Sequence, residues 1–183
     1  MEKQQPGTAL IVLKQKLSSL SKRETNLEFS RLTTQGILEK YNSKEILSIN
    51  SLKKADEIQL ENVLKLALIN FTKALNVGNS LTPDQINSLA INIHIDYGYL
   101  TVEDLILVLQ NIIKCKYGEI YNRVDVNTIY SALKKYDLER TDLIVEANVN
   151  EKNSQKYGSP ERTCQPRNMK DFLADFKKRE NEK

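Results

Sequence analysis

The chain has few of the side chains on which catalytic and metal-binding sites usually depend. Among its 183 residues there is one histidine, His94, and there are two cysteines, Cys115 and Cys164. The cysteines lie far apart and outside any CxxC or histidine-containing ligand pattern, so neither a zinc-finger spacing nor a disulfide framework is present. Because no serine or cysteine nucleophile motif surrounds His94, we predict no catalytic role for it.

Nucleotide-binding and metal-binding patterns are missing as well. The sequence has no GxxxxGK(S/T) loop and no GxGxxG fingerprint, which argues against a P-loop ATPase and a dinucleotide-binding protein. The carboxylates of Asp84, Asp96, Glu103 and Asp104 are explained by helix capping or by surface positions, and their spacing does not suit a metal ion. We therefore predict that the protein is not an enzyme and binds neither a cofactor nor a metal.

No apolar run of membrane-spanning length occurs in the chain. The run TALIVL at residues 8–13 is far too short to span a bilayer, and no small-residue cleavage site follows it. It could form a strand, but its spacing favours a short amphipathic helix. Together with the sparse cysteines, these features predict a cytoplasmic protein without a targeting segment, in the host cytoplasm if a phage encodes it.

Three helix-start signals follow one another in the middle of the chain. Thr82 with Gln85 and Thr101 with Asp104 have the spacing of capping boxes, in which two side chains satisfy each other's backbone amides. Asp125 is a third capping residue. Apolar residues recur at steps of three and four after each signal, which predicts three helices that each bury one face.

The apolar pattern predicts an all-α fold, a compact bundle of about five to seven helices over residues 8–147. Segment 104–113 is apolar nearly all round and segment 58–77 has a wide apolar face, so we expect these two helices to form the central pair. Residues 26–54 are predicted to form several short helices around them. Residues 1–7 are expected to be disordered.

The composition changes sharply after the predicted bundle. Residues 148–168 have almost no aliphatic side chains, which predicts a flexible linker, and residues 169–183 follow as a short amphipathic helical tail. Phe172, Leu173 and Phe176 lie on one face of that predicted helix. Such a face could dock in a groove of a protein partner or fold back on the chain's own bundle.

Cations and aromatic side chains alternate in the segment that joins the second and third predicted helices, residues 114–123. Cations can contact phosphate and rings can stack on bases, so nucleic-acid contact is one interpretation. In the other, the tyrosines close the bundle and the glycine makes the turn. The candidate residues are Lys114, Lys116, Tyr117, Gly118, Tyr121 and Arg123.

The stretch from Leu81 to Arg140 resembles a family of small helical proteins carried by phages and mobile elements. The resemblance rests on the capped helix that ends near a tyrosine, the LT-E-D helix start, the K-Y-G-x-x-Y-x-R turn and the final Y-x-x-x-R. The overall plan is also similar to phage helicase loaders and replication accessory proteins. The resemblance marks the residues of the turn and of the last helix for attention: Lys116, Tyr117, Gly118, Tyr121, Arg123, Tyr136 and Arg140.

Charge is unevenly distributed along the chain. Residues 1–24 and 151–183 each carry three more basic than acidic side chains, and the residues between them carry three more acidic than basic ones. The basic ends could meet nucleic acid or an acidic partner, or they could be solvated termini. Our leading hypothesis is an adaptor in phage or mobile-element DNA replication that recruits a protein partner, such as a replicative helicase, through its tail. Direct nucleic-acid binding and a structural, virion-associated role are the alternatives.

Overall fold

The computed structural model describes residues 5–20, 23–75, 77–78, 80–119 and 123–157, and this part of the chain contains eight α-helices and no strand. The predicted all-α fold is confirmed, with one helix more than the upper end of our estimate. In chain order the helices are α1 (Pro6–Ser18), α2 (Arg23–Ser30), α3 (Thr34–Asn42), α4 (Ile49–Lys53), α5 (Glu57–Ala74), α6 (Pro83–Asp96), α7 (Val102–Ile113) and α8 (Val126–Tyr157).

The chain divides into two units, residues 1–143 and residues 144–183. The first unit contains the core, in which α5 packs against α1, α4, α6 and α7. Helix α7 contacts α2 and α3 in addition, and nine of its twelve residues are buried. The two helices expected to form the central pair, α5 and α7, do lie together at the centre of the core.

Six of the helices in the described part of the chain, α3 to α8, begin at a capping side chain. Thr82 with Gln85 and Thr101 with Asp104 form complete capping boxes, as predicted. The side chain of Asp125 accepts a hydrogen bond of 2.9 Å from the backbone N–H of Thr128 at the start of α8. Three further caps, at the starts of α3, α4 and α5, are formed by Thr33, Ser48 and Asp56.

A short backbone contact joins the start of α4 to the loop before α7. The Asn50 amide donates to the Gly98 carbonyl at 2.7 Å, and the Ile49 amide donates to the Leu100 carbonyl at 2.8 Å. A Cβ atom on residue 98 would lie 2.2 Å from Oδ1 of Asn50, so only glycine fits there without a shift of its neighbour. Gly98 therefore permits this close approach of the two segments.

The ends of the predicted domain require correction. Helix α8 continues to Tyr157, ten residues beyond the expected end at Ala147, so the first part of the predicted linker 148–168 is helical. The physical reason is that Gly158 and Pro160 are the first helix-breaking residues after α8 begins. Helix α1 begins at Pro6, inside the predicted disordered segment 1–7.

The predicted amphipathic tail lies outside the described residues. Phe172, Leu173 and Phe176 all belong to residues 158–183, as do the rest of the predicted linker and Cys164. In the part that the structure describes, no helix combines the length and the apolar character needed to cross a lipid bilayer.

Candidate functional site

The turn after α7 has the backbone geometry of a Schellman motif. Lys114 ends the helix, the Cys115 amide donates to the Ile112 carbonyl and the Lys116 amide donates to the Asn111 carbonyl, both at 2.9 Å. Cys115 occupies the left-handed position with φ 57°, where a glycine is more common. Gly118 follows with φ 138°, a conformation that other residues rarely adopt. The predicted role of Gly118 in making the turn is thus supported by its backbone.

Tyr117 connects this turn to the core through packing and hydrogen bonds. Its half-buried ring packs against the core, and its hydroxyl accepts a hydrogen bond of 3.3 Å from Nδ2 of Asn111. The Lys135 ammonium of α8 donates to the Tyr117 carbonyl at 2.6 Å. Burial raises the pKa of the Tyr117 hydroxyl. These contacts match the interpretation in which the tyrosine closes the bundle.

Two of the predicted phosphate-binding cations have acidic partners. Nζ of Lys116 lies 2.6 Å from Glu139 and 5.3 Å from the centroid of the Tyr117 ring. The hydrogen bond to Glu139 raises the pKa of Lys116. The guanidinium of Arg123 lies 3.5 Å from Asp125. A phosphate would have to compete with both carboxylates, which weakens the case for nucleic-acid contact at this turn.

The remaining candidates of the turn add little to the surface around Tyr117. Lys114 is exposed at the end of α7. Tyr121 lies outside the described residues, between Glu119 and Arg123. Of the candidates in this turn, the structure therefore brings together Lys116 and Tyr117.

The cap of α8 gives a testable pH dependence. Oδ1 of Asp125 accepts hydrogen bonds from the backbone amide and the hydroxyl of Thr128, at 2.9 and 3.0 Å, and these bonds hold the pKa of Asp125 below its ordinary value. A lowered carboxyl pKa contributes stability above the unfolded-state pKa of about 3.9, and this contribution disappears as the pH falls through the folded-state pKa.

We expect Asp125→Ala to lower the free energy of unfolding by about 1 kcal/mol at pH 7, because α8 loses its cap. The difference in free energy of unfolding between this variant and the unsubstituted chain should become smaller below about pH 4, because the Asp125 carboxyl of the unsubstituted chain becomes protonated. Urea unfolding over a pH series measures this difference in free energy. The control is Asp142→Ala, which removes an exposed carboxylate of the same helix. A difference in free energy of unfolding that does not change with pH would contradict a lowered pKa of Asp125.

Among the described residues, a group of buried polar side chains lies between the start of α7 and α8. Oδ2 of Asp104 accepts hydrogen bonds from the backbone amide of Thr101 at 2.9 Å and from its hydroxyl at 3.0 Å. The Tyr136 hydroxyl donates to Oδ1 of Asp104. Nε of Arg140 lies 3.7 Å from Oδ2 of the same carboxylate. We call these four residues, Thr101, Asp104, Tyr136 and Arg140, the buried polar centre.

The buried polar centre unites two residues that the resemblance marked with two that we expected only to cap a helix. Tyr136 and Arg140 are one turn apart on α8, so both side chains reach the start of α7. Thr101, Asp104 and Tyr136 are fully buried, and Arg140 is 7% exposed. Burial raises the pKa of Tyr136, and the negative charge of Asp104 raises it further.

The chemistry of this centre is that of a structural clamp. The side chains of Asp104 and Tyr136 have no accessible surface, so a substrate could not reach them. A buried carboxylate that accepts three hydrogen bonds instead fixes the angle between the helices that supply the donors. Sequence reasoning identified the Thr101–Asp104 cap but could not reveal its contact with α8.

Comparisons of the chain with protein-family models, with curated proteins and with solved structures gave no significant match. Three features of the described residues bear on the function of the protein. They are the buried polar centre, the turn that Tyr117 closes, and the exposed side chains of the last part of α8.

Proposed function

We propose that the protein is a non-enzymatic adaptor in which the first unit is a helical platform. The C-terminal segment, residues 144–183, recruits a protein partner. The observation that carries the proposal is the exposure of apolar side chains on the last part of α8. Val145 is 54% exposed and Val149 is 50% exposed. Residues four apart lie on the same face of a helix, so the two valines form one apolar strip.

The strip is continuous in sequence with the segment that we predict to dock. Every side chain described from Val145 to Asn150 is exposed, and so is that of Lys152. Exposed valines one turn apart offer an apolar strip that the groove of another protein would cover. Phe172, Leu173 and Phe176 would add a second apolar contact through the tail, and two linked contacts bind more tightly than either one alone.

The position of the polar groups supports an adaptor more than an enzyme. The buried polar centre is closed to substrates, and Lys116 of the turn is engaged by Glu139. The resemblance of Leu81–Arg140 supports an origin in phages or mobile elements. The similarity of the overall plan to phage helicase loaders supports DNA replication as the process and a replicative helicase or another replication protein as the partner. A cytoplasmic location belongs to the same proposal.

A capture experiment from cells of the native host tests this proposal. We expect the full chain to recover a replication protein, and we expect a chain that ends at Ala147 to recover none. A second chain that ends at Tyr157 retains Val149 and removes only residues 158–183, so it separates the contribution of α8 from that of the tail. Equal recovery by all three chains would contradict recruitment through the C-terminal segment.

Two other outcomes would favour the alternatives. Recovery of nucleic acid by both the full and the shortened chains would support direct binding at the turn. In that case Lys116→Ala with Arg123→Ala should reduce the salt dependence of binding by about one unit of slope for each phosphate that the variant no longer neutralises. Defined high-order oligomers on a sizing column would support a structural, virion-associated role, with the valine strip as an assembly contact.

A further inference from the structure

Three potential metal ligands meet where the start of α5 packs against the end of α6. Glu57 and Glu61 are one helical turn apart on α5, and His94 lies in the last turn of α6. One carboxylate oxygen from each glutamate and one ring nitrogen of His94 all lie within 4.8 Å of one another. Three ligands around one zinc ion, each about 2.0–2.2 Å from the metal, would lie about 3–4 Å apart. Small side-chain movements would therefore complete the site.

A positive charge already occupies part of this position. Nζ of Lys53 lies 3.0 Å from Nε2 of His94 and 3.2 Å from Oε1 of Glu57. Nε2 of His94 is itself 3.6 Å from the same glutamate oxygen. Glu61 has its own cationic neighbour, Lys65, at 3.3 Å. The ammonium group of Lys53 thus contacts two of the three potential ligands, His94 and Glu57.

His94 is held in the form that a metal requires. An ammonium group can only donate a hydrogen bond, so its contact with Nε2 needs the lone pair of that nitrogen, and the ring proton is then on Nδ1. The His94 side chain is only 4% exposed, and its Nδ1 atom has no hydrogen-bond partner among the described residues. The lone pair on Nε2 of this buried imidazole is thus engaged by the Lys53 ammonium, beside the carboxylate of Glu57.

We propose that Glu57, Glu61 and His94 bind a divalent transition-metal ion, with zinc the preferred ion, and that the metal displaces the ammonium group of Lys53. A set of one imidazole and two carboxylates suits Zn²⁺, whereas Mg²⁺ and Ca²⁺ prefer sites made of oxygen ligands alone. A site with three protein ligands leaves a fourth position for water or for a ligand from another molecule. The site lies in the first unit and does not depend on the adaptor function.

The sequence alone could not reveal this cluster. Glu57 and Glu61 have the spacing of any two carboxylates on one helix face, and His94 is far from them along the chain. We predicted no metal because the sequence shows no ligand spacing, and no catalytic role for His94 because no nucleophile motif surrounds it. The metal site follows only from the packing of α6 on α5.

The solitary histidine makes the test direct. In an untagged chain with Cys115→Ser and Cys164→Ser, which removes both thiols, the imidazole NMR signals come from His94 alone. We expect ZnCl₂ to shift these signals and to raise Tm in a concentration-dependent way. Glu57→Gln, Glu61→Gln and His94→Gln should each weaken zinc binding at least about tenfold. MgCl₂ at the same concentrations should leave the imidazole signals unchanged.

A variant that binds zinc more tightly provides a test that misfolding cannot explain. Lys53→Met removes the competing ammonium and should tighten zinc binding about tenfold or more, whereas Lys54→Met, which changes an exposed neighbour, should leave it unchanged. The proposal is overturned if the His94 signals do not move at millimolar zinc. It is equally overturned if zinc raises Tm by the same amount in the His94→Gln chain, or if Lys53→Met does not tighten binding.

Discussion

Replacing Asp104 with alanine is expected to lower the free energy of unfolding by about 3–5 kcal/mol, because the buried guanidinium of Arg140 loses its acidic neighbour. The carboxylate accepts bonds from Thr101 and Tyr136 and lies beside the Arg140 guanidinium. Its removal would uncap α7 and leave a buried hydroxyl and a buried charge without their partner. Urea unfolding at neutral pH measures the loss.

Two further variants distinguish the network from an ordinary helix cap. Asp84 occupies the first turn of α6 and is exposed, so Asp84→Ala should cost less than about 1 kcal/mol. Tyr136→Phe keeps the ring but removes one donor to Asp104, and we expect a loss of about 1–3 kcal/mol. If Asp104→Ala costs no more than Asp84→Ala, the buried polar centre does not hold α7 and α8 together.

Gly98→Ala is expected to lower the free energy of unfolding by up to about 1 kcal/mol, because the added methyl group would overlap the end of the exposed Asn50 side chain, which must change its rotamer. The backbone bond from the Asn50 amide to the Gly98 carbonyl holds the two segments at this separation. Combining Gly98→Ala with Asn50→Ala removes the overlapping atoms. The double variant should therefore recover most of the stability that the single variant loses.

Gly7 supplies a matched control for that experiment. A Cβ atom on Gly7 would meet nothing within 4 Å, and the residue lies in the first turn of α1. Gly7→Ala should therefore leave stability unchanged or raise it by up to about 1 kcal/mol, since alanine favours helix more than glycine does. A destabilisation by Gly98→Ala that Asn50→Ala does not relieve would contradict the steric explanation.

Local signals explain why so much of the fold could be predicted. The capping boxes at Thr82 and Thr101 depend on side chains only three residues apart, so the sequence displays them directly. The burial of α7 follows from its nearly continuous apolar residues. The all-α class and the central position of α5 and α7 follow from patterns of this kind.

Contacts between distant residues explain what could not be predicted. Whether Lys116 is free to bind phosphate depends on Glu139, which lies on another helix. The Asp104–Tyr136 bond and the Glu57–His94 contact likewise arise from packing that no local pattern encodes. The end of α8 differs from the prediction for another reason, because a polar composition alone does not end a helix. Residues 148–157 contain no glycine or proline, and the helix continues through them.

Recruitment of a protein partner by the C-terminal segment can be tested by measuring the affinity of the captured partner for three chains. Phe172→Ala with Phe176→Ala removes two of the three apolar side chains on the predicted docking face of the tail. Lys177→Ala with Lys178→Ala changes the same segment and leaves these apolar side chains in place. We predict that the phenylalanine variant binds at least about tenfold more weakly than the unsubstituted chain, with an unchanged Tm of the first unit, while the lysine variant binds within about threefold of it. Equal affinity of the phenylalanine variant and the unsubstituted chain would contradict the account.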